Sequence, residues 1–338
     1  DNTLEKPGIE IFLKMASIGS SSQVNIVVQM DKNSTEEPYD AQYGNWTDCK
    51  RFYVTKGMTP VPENATQDLS EVNMGHPDTL KEFINWTMHY YPANYYFLVL
   101  WDHGTGCMGF CFDSTNATDK LSLPELSQAL SGLPATIDAV LIDACSMSMI
   151  ETAYQIKDYT NVLVGPEGLG YAPPPYDRYL SSLTSNPSML PSAFAREVVT
   201  HYIDWCVSIP VEYIRNATMV ATDLTKITNL IAVTDDFALK LKGKETPYHE
   251  QISLARNQTE GHKGPLQGES GYYIDLYHFA QLTYQHVPDE ELRNAANEVM
   301  TALSIGNAII IEADKLLPNS HGLSIFFPYG KGTSYSCL

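Results

Sequence analysis

The chain has 338 residues, of which 43% are hydrophobic and 18% are charged, so it can fold around a core of ordinary size. Its formal net charge of −19 repels nucleic acids and anionic lipids, which excludes both as favoured partners. No run of about 18 apolar residues occurs, so the sequence predicts no transmembrane segment.

The predicted strands are short apolar runs, and several are continuous, which is typical of strands that are covered on both faces. They are residues 24–30, 51–55, 96–101, 139–142, 162–165, 219–222 and 323–327. Helical patterns fall between them at residues 77–90, 122–130 and 147–159. The second of these has a serine cap, a proline in its first turn and an early glutamate. The alternation predicts an α/β fold with a mostly parallel central sheet.

The pattern changes after about residue 208, where long amphipathic helices are predicted at residues 224–242, 274–287 and 290–303. Residues 243–271, between the first two, are polar and rich in Gly, Gln and Glu, which predicts a loop. We therefore expect a core of residues 1–208 and a helical extension of residues 209–338. The last strand of the extension, within residues 321–328, is expected to rejoin the core sheet.

Two of the predicted strands end in polar clusters, "WDHGTG" at residues 101–106 and "DACS" at residues 143–146. The carboxyl ends of adjacent parallel strands line one crevice, so His103 and Cys145 are expected there together if the strands are neighbours. A thiol beside an imidazole is a nucleophile beside a base. A predicted helix after Cys145 would favour the thiolate, and the amides of Gly104 and Cys145 could hold an oxyanion.

Other interpretations of these residues remain open. His103 could be a satisfied turn residue, and Cys145 could simply be buried, as free cysteines often are. The spacing of His103, Cys107 and Cys111 would suit metal ligands on one helix face, but the intervening glycines argue against a helix. We therefore predict no metal site here and regard the two latter cysteines as incidental or disulfide-paired. Asp102 is expected to be a structural hydrogen-bonding residue.

Seven N-x-S/T sequons indicate a glycosylated exterior surface, although an Asn-rich and Thr-rich chain also collects sequons by accident. They lie at Asn33, Asn45, Asn64, Asn85, Asn116, Asn216 and Asn257. They predict that the protein is secreted or lies at the cell surface. No signal peptide opens the sequence, so the numbering is expected to begin inside a longer precursor.

The segments "WDHGTG" and "IDACSMSMIETAY" resemble those of clostripain-type cysteine peptidases, relatives of caspases, legumains and gingipains. Further segments agree in order and spacing: "DNTLE", "SSSQVNIVVQMD", "DLSEVNMGHPDTLKEFINW", "LSLPELSQAL", "PYDRYL" and "HGLSIFFP". The resemblance implies a caspase-like three-layer α/β sandwich that acts on proteins or peptides. It implies that His103 and Cys145 form the catalytic dyad and that Gly104 belongs to the oxyanion site.

Relatives in this family typically cleave after Arg or Lys and use acidic residues at the bottom of the first specificity pocket. Asp143 matches one of these residues, and Glu167 is the one acid that precedes Asp177 in the loop of residues 165–178. The resemblance therefore implies substrate-binding roles for Asp143 and Glu167. Basic specificity is also favoured because Asp143 would otherwise be unpaired in a buried pocket.

Family members are commonly activated by cutting themselves after a basic residue between the histidine and the cysteine. Lys120 is the single Lys or Arg in that interval, and it follows a polar stretch with a sequon. Such stretches are exposed and easily nicked, so cleavage at Lys120–Leu121 is the expectation, with a solvated loop lysine as the alternative. No cofactor is required, although calcium, on which some relatives depend, is compatible with the acidic excess.

The ends of the chain depart from the family pattern. The apolar strand that usually precedes "DN" is missing, and family sequences often continue beyond the last residues here. We therefore expect a fragment of a larger secreted protein with further domains. The favoured function is an extracellular cysteine endopeptidase. The alternatives are a non-catalytic peptidase-like binding module and a transpeptidase or ligase that uses the same acyl-enzyme.

Overall fold

The structure is a computed structural model that describes residues 2–33, 41–44, 46–210, 216–262, 272–313 and 317–328. Its central sheet has five strands: β4 (Phe97–Trp101), β7 (Ile137–Asp143), β8 (Thr160–Gly165), β9 (Met219–Asp223) and β12 (Ile309–Ala313). Their order is β12-β9-β8-β7-β4. Strand β9 is antiparallel to both of its neighbours, so it alone runs against the other four. The mostly parallel α/β sheet is confirmed.

The strands of this sheet are apolar on both sides because helices cover both of its faces. Leu141 and Val164 point to one face, where they join the apolar side chains of three helices. These helices are α1 (Glu5–Ile18), α5 (Tyr176–Ser185) and α6 (Pro191–Ser208). Val140 and Leu163 point to the other face. The helices there are α2 (Pro77–Tyr90), α3 (Leu123–Leu130), α4 (Ile150–Ile156), α7 (Ile227–Gln258), α8 (Leu276–His286) and α9 (Glu290–Ala302).

The remaining strands form smaller sheets outside the central one. They are β1 (Val27–Asp31), β2 (Cys49–Tyr53), β3 (Gln67–Ser70), β5 (Phe110–Asp113), β6 (Asp119–Leu121), β10 (Gly261–His262), β11 (Tyr273–Asp275) and β13 (Ser324–Phe326). Strands β1 to β3 make an antiparallel sheet that packs on α1, and β5 and β6 make a hairpin. Strands β10, β11 and β13 make a third small sheet.

Helices α2, α3 and α9 begin within one residue of the predicted positions, and α3 is the clearest case. The hydroxyl of Ser122 accepts the N–H of Glu125, while the Glu125 carboxylate accepts the N–H of Ser122. This reciprocal cap satisfies amides that the first turn of a helix leaves without partners. Within the described residues no helix is both long and apolar enough to cross a membrane.

Two predictions about the C-terminal part are wrong. The strand within residues 321–328 does not rejoin the core sheet: β13 pairs with β11, and β12, with its run of isoleucines, occupies the edge of the central sheet instead. The described part of the predicted loop of residues 243–271 is mostly helical, because α7 continues to Gln258 across a kink at Pro247 and Tyr248. Since β9 and β12 both follow residue 208, the central sheet takes strands from both sides of that boundary.

Candidate active site

The carboxyl ends of β4 and β7 lie side by side. The two strands are parallel neighbours, with Trp101 opposite Asp143, so the segments that carry His103 and Cys145 leave the sheet at one edge. Gly104 lies directly against the segment of Cys145: a Cβ atom placed on it would be 2.6 Å from the carbonyl oxygen of Cys145 and 3.0 Å from its nitrogen. Strands β4 and β7 are therefore neighbours, which is the condition under which His103 and Cys145 were predicted to share one crevice.

The close approach at Gly104 leads to a testable expectation. Gly104→Ala should lower the melting temperature by several degrees and reduce kcat/KM more than about 10-fold, because the new methyl group meets backbone that cannot move aside easily. Thermal unfolding and peptide hydrolysis measure the two effects. Gly243→Ala is the matched control, since Gly243 lies in α7 with open space around it, and alanine there should be neutral or stabilising. Equal behaviour of the two variants would contradict the close approach.

The Cys145 side chain is half-buried, and its environment favours the thiol over the thiolate. Burial raises the pKa of Cys145, and the N–H of Gly170, which donates to the sulfur at 3.3 Å, opposes this rise only in part. The predicted thiolate-promoting helix does not follow directly, because residues 146–149 separate Cys145 from the start of α4 at Ile150. The expectation of a helix directly after Cys145 is therefore wrong.

A tight turn follows Cys145. Ser146 has a φ of 60°, in the left-handed region, and its N–H donates to the carbonyl oxygen of Gly168 at 2.7 Å. The loop after β8 therefore holds this segment at two points, through Gly168 on the backbone of Ser146 and through Gly170 on the sulfur of Cys145. Sequence reasoning did not assign roles to these two glycines, because their contacts depend on the positions of separate loops.

The segment at residues 2–4 positions the histidine. The hydroxyl of Thr3 lies 3.0 Å from Nε2 of His103, and the amide of Asn2 donates to Oδ1 of Asp102 at 2.6 Å. The same oxygen of Asp102 accepts the backbone N–H of His103 at 2.5 Å. Asp102 thus has the structural hydrogen-bonding role that was predicted. The contacts of Asn2 and Thr3 were missed, although "DNTLE" had been singled out as a shared segment.

Asp143, the last residue of β7, is buried on the face of the sheet that α5 covers. Its carboxylate accepts a hydrogen bond from the hydroxyl of Tyr176 at 2.9 Å, and it is 4% exposed. Burial raises the pKa of Asp143 to about 7, while the Tyr176 hydrogen bond lowers it. The argument that Asp143 would be unpaired without a basic substrate is therefore wrong, because Tyr176 satisfies one of its oxygens. Sequence periodicity gave no signal for this contact.

The structure separates Glu167 from the position expected for a substrate-binding acid. Its side chain is fully buried, one oxygen accepts the N–H of Gly322 at 3.0 Å, and the other lies 3.3 Å from Nε2 of His262. The carboxylate therefore faces the small sheet of β10, β11 and β13. For that reason we withdraw the prediction that Glu167 is a specificity residue.

Lys120 was expected at an exposed loop tip, but the structure does not place it there. It lies in strand β6, its ammonium group is 5.4 Å from the centroid of the Phe112 ring, and the adjacent Leu121 is only 1% exposed. A peptidase binds extended, accessible backbone, so a cut at Lys120–Leu121 requires the β5–β6 hairpin to open. The expected loop-tip exposure is wrong because strand pairing, rather than local polarity, determines exposure here.

The described cysteines differ in whether they form a disulfide. Cys107 is disulfide-bonded, whereas Cys49, Cys111, Cys145 and Cys206 are free, so a Cys107–Cys111 pair does not form.

Four sequon residues have exposed side chains: Asn64, Asn85, Asn216 and Asn257. Asn116 is half-buried with its amide on Glu71 and Asp113, and Asn33 is only 1% exposed, which is incompatible with its predicted glycosylation in the folded chain. Asn45 lies outside the described residues.

Two side-chain clusters have the spacing of metal ligands. In each, three ligand atoms lie within 4.8 Å of one another: Asp31, Glu71 and Asp113 form one cluster, and Glu167, His262 and Asp275 form the other. The first has only carboxylate oxygens, the ligand type that Ca²⁺ takes, and burial raises the pKa of Asp31 to about 7. Calcium binding stays a prediction, with this cluster as the matching donor set.

Comparisons of the sequence with known proteins relate the chain to one peptidase family. The sequence model of the clostripain family, Peptidase_C11, matches residues 10–333. Clostripain from Hathewaya histolytica is 27% identical over an alignment of 180 residues, which covers 46% of this chain and 34% of clostripain. The match therefore spans about a third of that relative.

Solved structures show the same fold at low sequence identity. A secreted C11 cysteine protease from Bacteroides thetaiotaomicron, in complex with an irreversible peptide inhibitor, superimposes with a TM-score of 0.72 at 18% identity, over 99% of this chain and 92% of that one. An inactive zymogen C11 protease from Parabacteroides distasonis gives 0.67 at 17% identity, over 97% and 89%. The caspase-like fold is thus confirmed, and because the family match extends over most of the chain, the protein belongs to the clostripain family.

Proposed function

We propose that the chain is a cysteine endopeptidase in which His103 and Cys145 form the catalytic dyad. The observation that carries this proposal is the contact of Gly104 with the backbone of Cys145 at the shared end of two parallel strands. Membership of the clostripain family supports it. Within the described residues neither the Gly104 nor the Cys145 amide donates a hydrogen bond to another residue, so both are available for an oxyanion.

The reaction needs a base because burial keeps Cys145 protonated at rest. Since Thr3 contacts Nε2 of His103, the other ring nitrogen is left for the thiol. The imidazole takes the proton as the sulfur attacks the peptide carbonyl carbon, and the Gly104 and Cys145 amides stabilise the oxyanion. His103 returns the proton to the leaving amine when the C–N bond breaks. Water then hydrolyses the thioester, which releases the acid and restores the thiol.

A peptidyl inhibitor tests the function and its specificity together. An irreversible inhibitor with Lys or Arg at the first position should label Cys145, and a matched reagent with Asn or Asp should label it far more slowly. Intact-mass analysis with peptide mapping locates the adduct. Absence of labelling by every reagent would favour a non-catalytic binding module. If Cys145 is labelled and a separate peptide substrate passes its acyl group to an added amine in preference to water, a ligase would be favoured.

Self-cleavage is expected to depend on both Cys145 and Lys120. Incubated protein should acquire a new N-terminus at Leu121, and neither Cys145→Ala nor Lys120→Ala should acquire it. The cut should be slow, because the hairpin must open before Leu121 leaves its buried position. N-terminal sequencing over time measures it. Lys157→Ala is the control and should behave like the unsubstituted chain, while full activity of an uncut Lys120→Ala chain would remove the cut from activation.

An extracellular location is part of the proposal. The disulfide at Cys107 is of a kind that persists in oxidising compartments, and four sequon residues are accessible for glycosylation. Expression through a secretory pathway, followed by glycosidase treatment, should shift the mass. A protein that leaves that pathway without glycan would contradict the sequon argument.

A further inference from the structure

A second group of ionisable side chains lies outside the proposed dyad. Glu167 comes from the loop after β8, His262 from β10 and Asp275 from the end of β11, and one ligand atom of each lies within 4.8 Å of the others. Glu167 and Asp275 are fully buried, and His262 is 2% exposed. His262 and Asp275 lie on the paired strands β10 and β11, whereas Glu167 is far from both in sequence, so the packing of the small sheet against the loop brings it to them.

Hydrogen bonds orient the carboxylates of this group but leave several of its buried polar atoms without partners. Asp275 accepts the N–H groups of His278 and His321, each at 2.6 Å. Oε2 of Glu167 and both ring nitrogens of His262, however, have no hydrogen-bond partner within the described part of the chain. A buried polar atom without a partner costs about 1–3 kcal/mol, so three together need an explanation.

The group also places two buried carboxyl groups close together. Among the described residues no Lys or Arg forms an ion pair with either carboxylate. A cation bound between these groups would supply the positive charge that both carboxylates lack when they are ionised.

We propose that Glu167, His262 and Asp275 bind one divalent transition-metal ion of the Zn²⁺ type. Imidazole and carboxylate are ligands that Zn²⁺ takes, whereas Ca²⁺ takes oxygen ligands. Two donors at about 2.1 Å from such an ion, at a tetrahedral angle, lie roughly 3.4 Å apart. Oε2 of Glu167 and Nε2 of His262 are 3.3 Å apart but not aligned for a hydrogen bond, which is the separation that a shared ion produces.

The ion would act on the structure and not as a catalyst. Glu167 precedes Gly168, which accepts the N–H of Ser146, and the same loop continues to Gly170, which donates to the sulfur of Cys145. A metal that joins Glu167 to β10 and β11 therefore fixes the loop that holds the nucleophile. The site does not depend on the proposed peptidase activity, so it can be tested without any turnover.

The test uses the full chain with Cys145→Ala, so that this thiol cannot bind the metal. After chelator treatment, Zn²⁺ titrated by calorimetry should bind at one equivalent and raise the melting temperature by several degrees. His262→Gln and Asp275→Asn should each weaken binding at least about 100-fold. His249→Gln, which removes an exposed histidine of α7, and Asp31→Asn, in the other cluster, should not change it. Millimolar Ca²⁺ should not compete.

Several results would overturn the proposal. These are failure of the chelated protein to bind Zn²⁺, unchanged binding by His262→Gln, and equal weakening by His249→Gln. If His262→Gln or Asp275→Asn does not fold, Co²⁺ in the chain with all three ligands intact decides instead. X-ray absorption should then show one imidazole nitrogen with oxygen donors, and a shell containing sulfur would exclude this site.

Discussion

Cys145→Ala is expected to abolish peptide hydrolysis, with a fall in kcat of at least about 10³-fold, because the attacking sulfur is removed. His103→Ala should lose about 10²-fold to 10⁴-fold, since the buried thiol then has no base to take its proton. Initial rates on a Lys-containing fluorogenic peptide measure both effects. The double variant should be little worse than Cys145→Ala alone, because the two groups act as one unit.

Matched controls separate a loss of chemistry from a loss of structure. Cys206→Ala removes another free cysteine, in α6, and His249→Ala removes an exposed histidine of α7; both should keep activity near that of the unsubstituted chain. Circular dichroism should show that all variants are folded. Substantial hydrolysis by folded Cys145→Ala would exclude the proposed nucleophile.

Asp143→Asn is expected to lower kcat/KM at least about 10²-fold on substrates with Lys or Arg at the cleaved bond, and far less on neutral ones. The reason is that a buried carboxylate next to the nucleophile segment can pair with a cationic side chain, whereas an amide cannot. Parallel kinetics on Lys-containing and Gln-containing peptides measure the difference. An equal loss on both substrates would mean that Asp143 only supports the fold.

The pH profile gives a second, independent readout of Asp143. Its pKa is raised to about 7, so the free enzyme holds the carboxyl group largely neutral below that pH and ionised above it. The ratio of kcat/KM on basic to neutral substrates should therefore rise as the pH increases through about 7, and Asp143→Asn should flatten this rise. Tyr176→Phe removes the hydrogen bond that lowers this pKa, so it should shift the rise to higher pH. A ratio independent of pH would contradict the assignment.

The sequence by itself determined the local features of this protein. Apolar runs defined β4 and β7, Ser122 and Glu125 defined the start of α3, and the residues that follow each strand located His103 and Cys145. These features depend on burial and capping within a few neighbouring residues, so they can be predicted from pattern alone. The resemblance to a known family then indicated the fold as a whole.

Only the tertiary structure decided which side chains meet between distant segments. Tyr176 donates a hydrogen bond to Asp143, Glu167 faces His262 instead of Cys145, and β12, not β13, forms the edge of the central sheet. These contacts depend on the order of the strands and on the way helices and loops pack over them. Hydrophobic periodicity does not encode that order, because it records how deeply each residue is buried but not which residue it contacts.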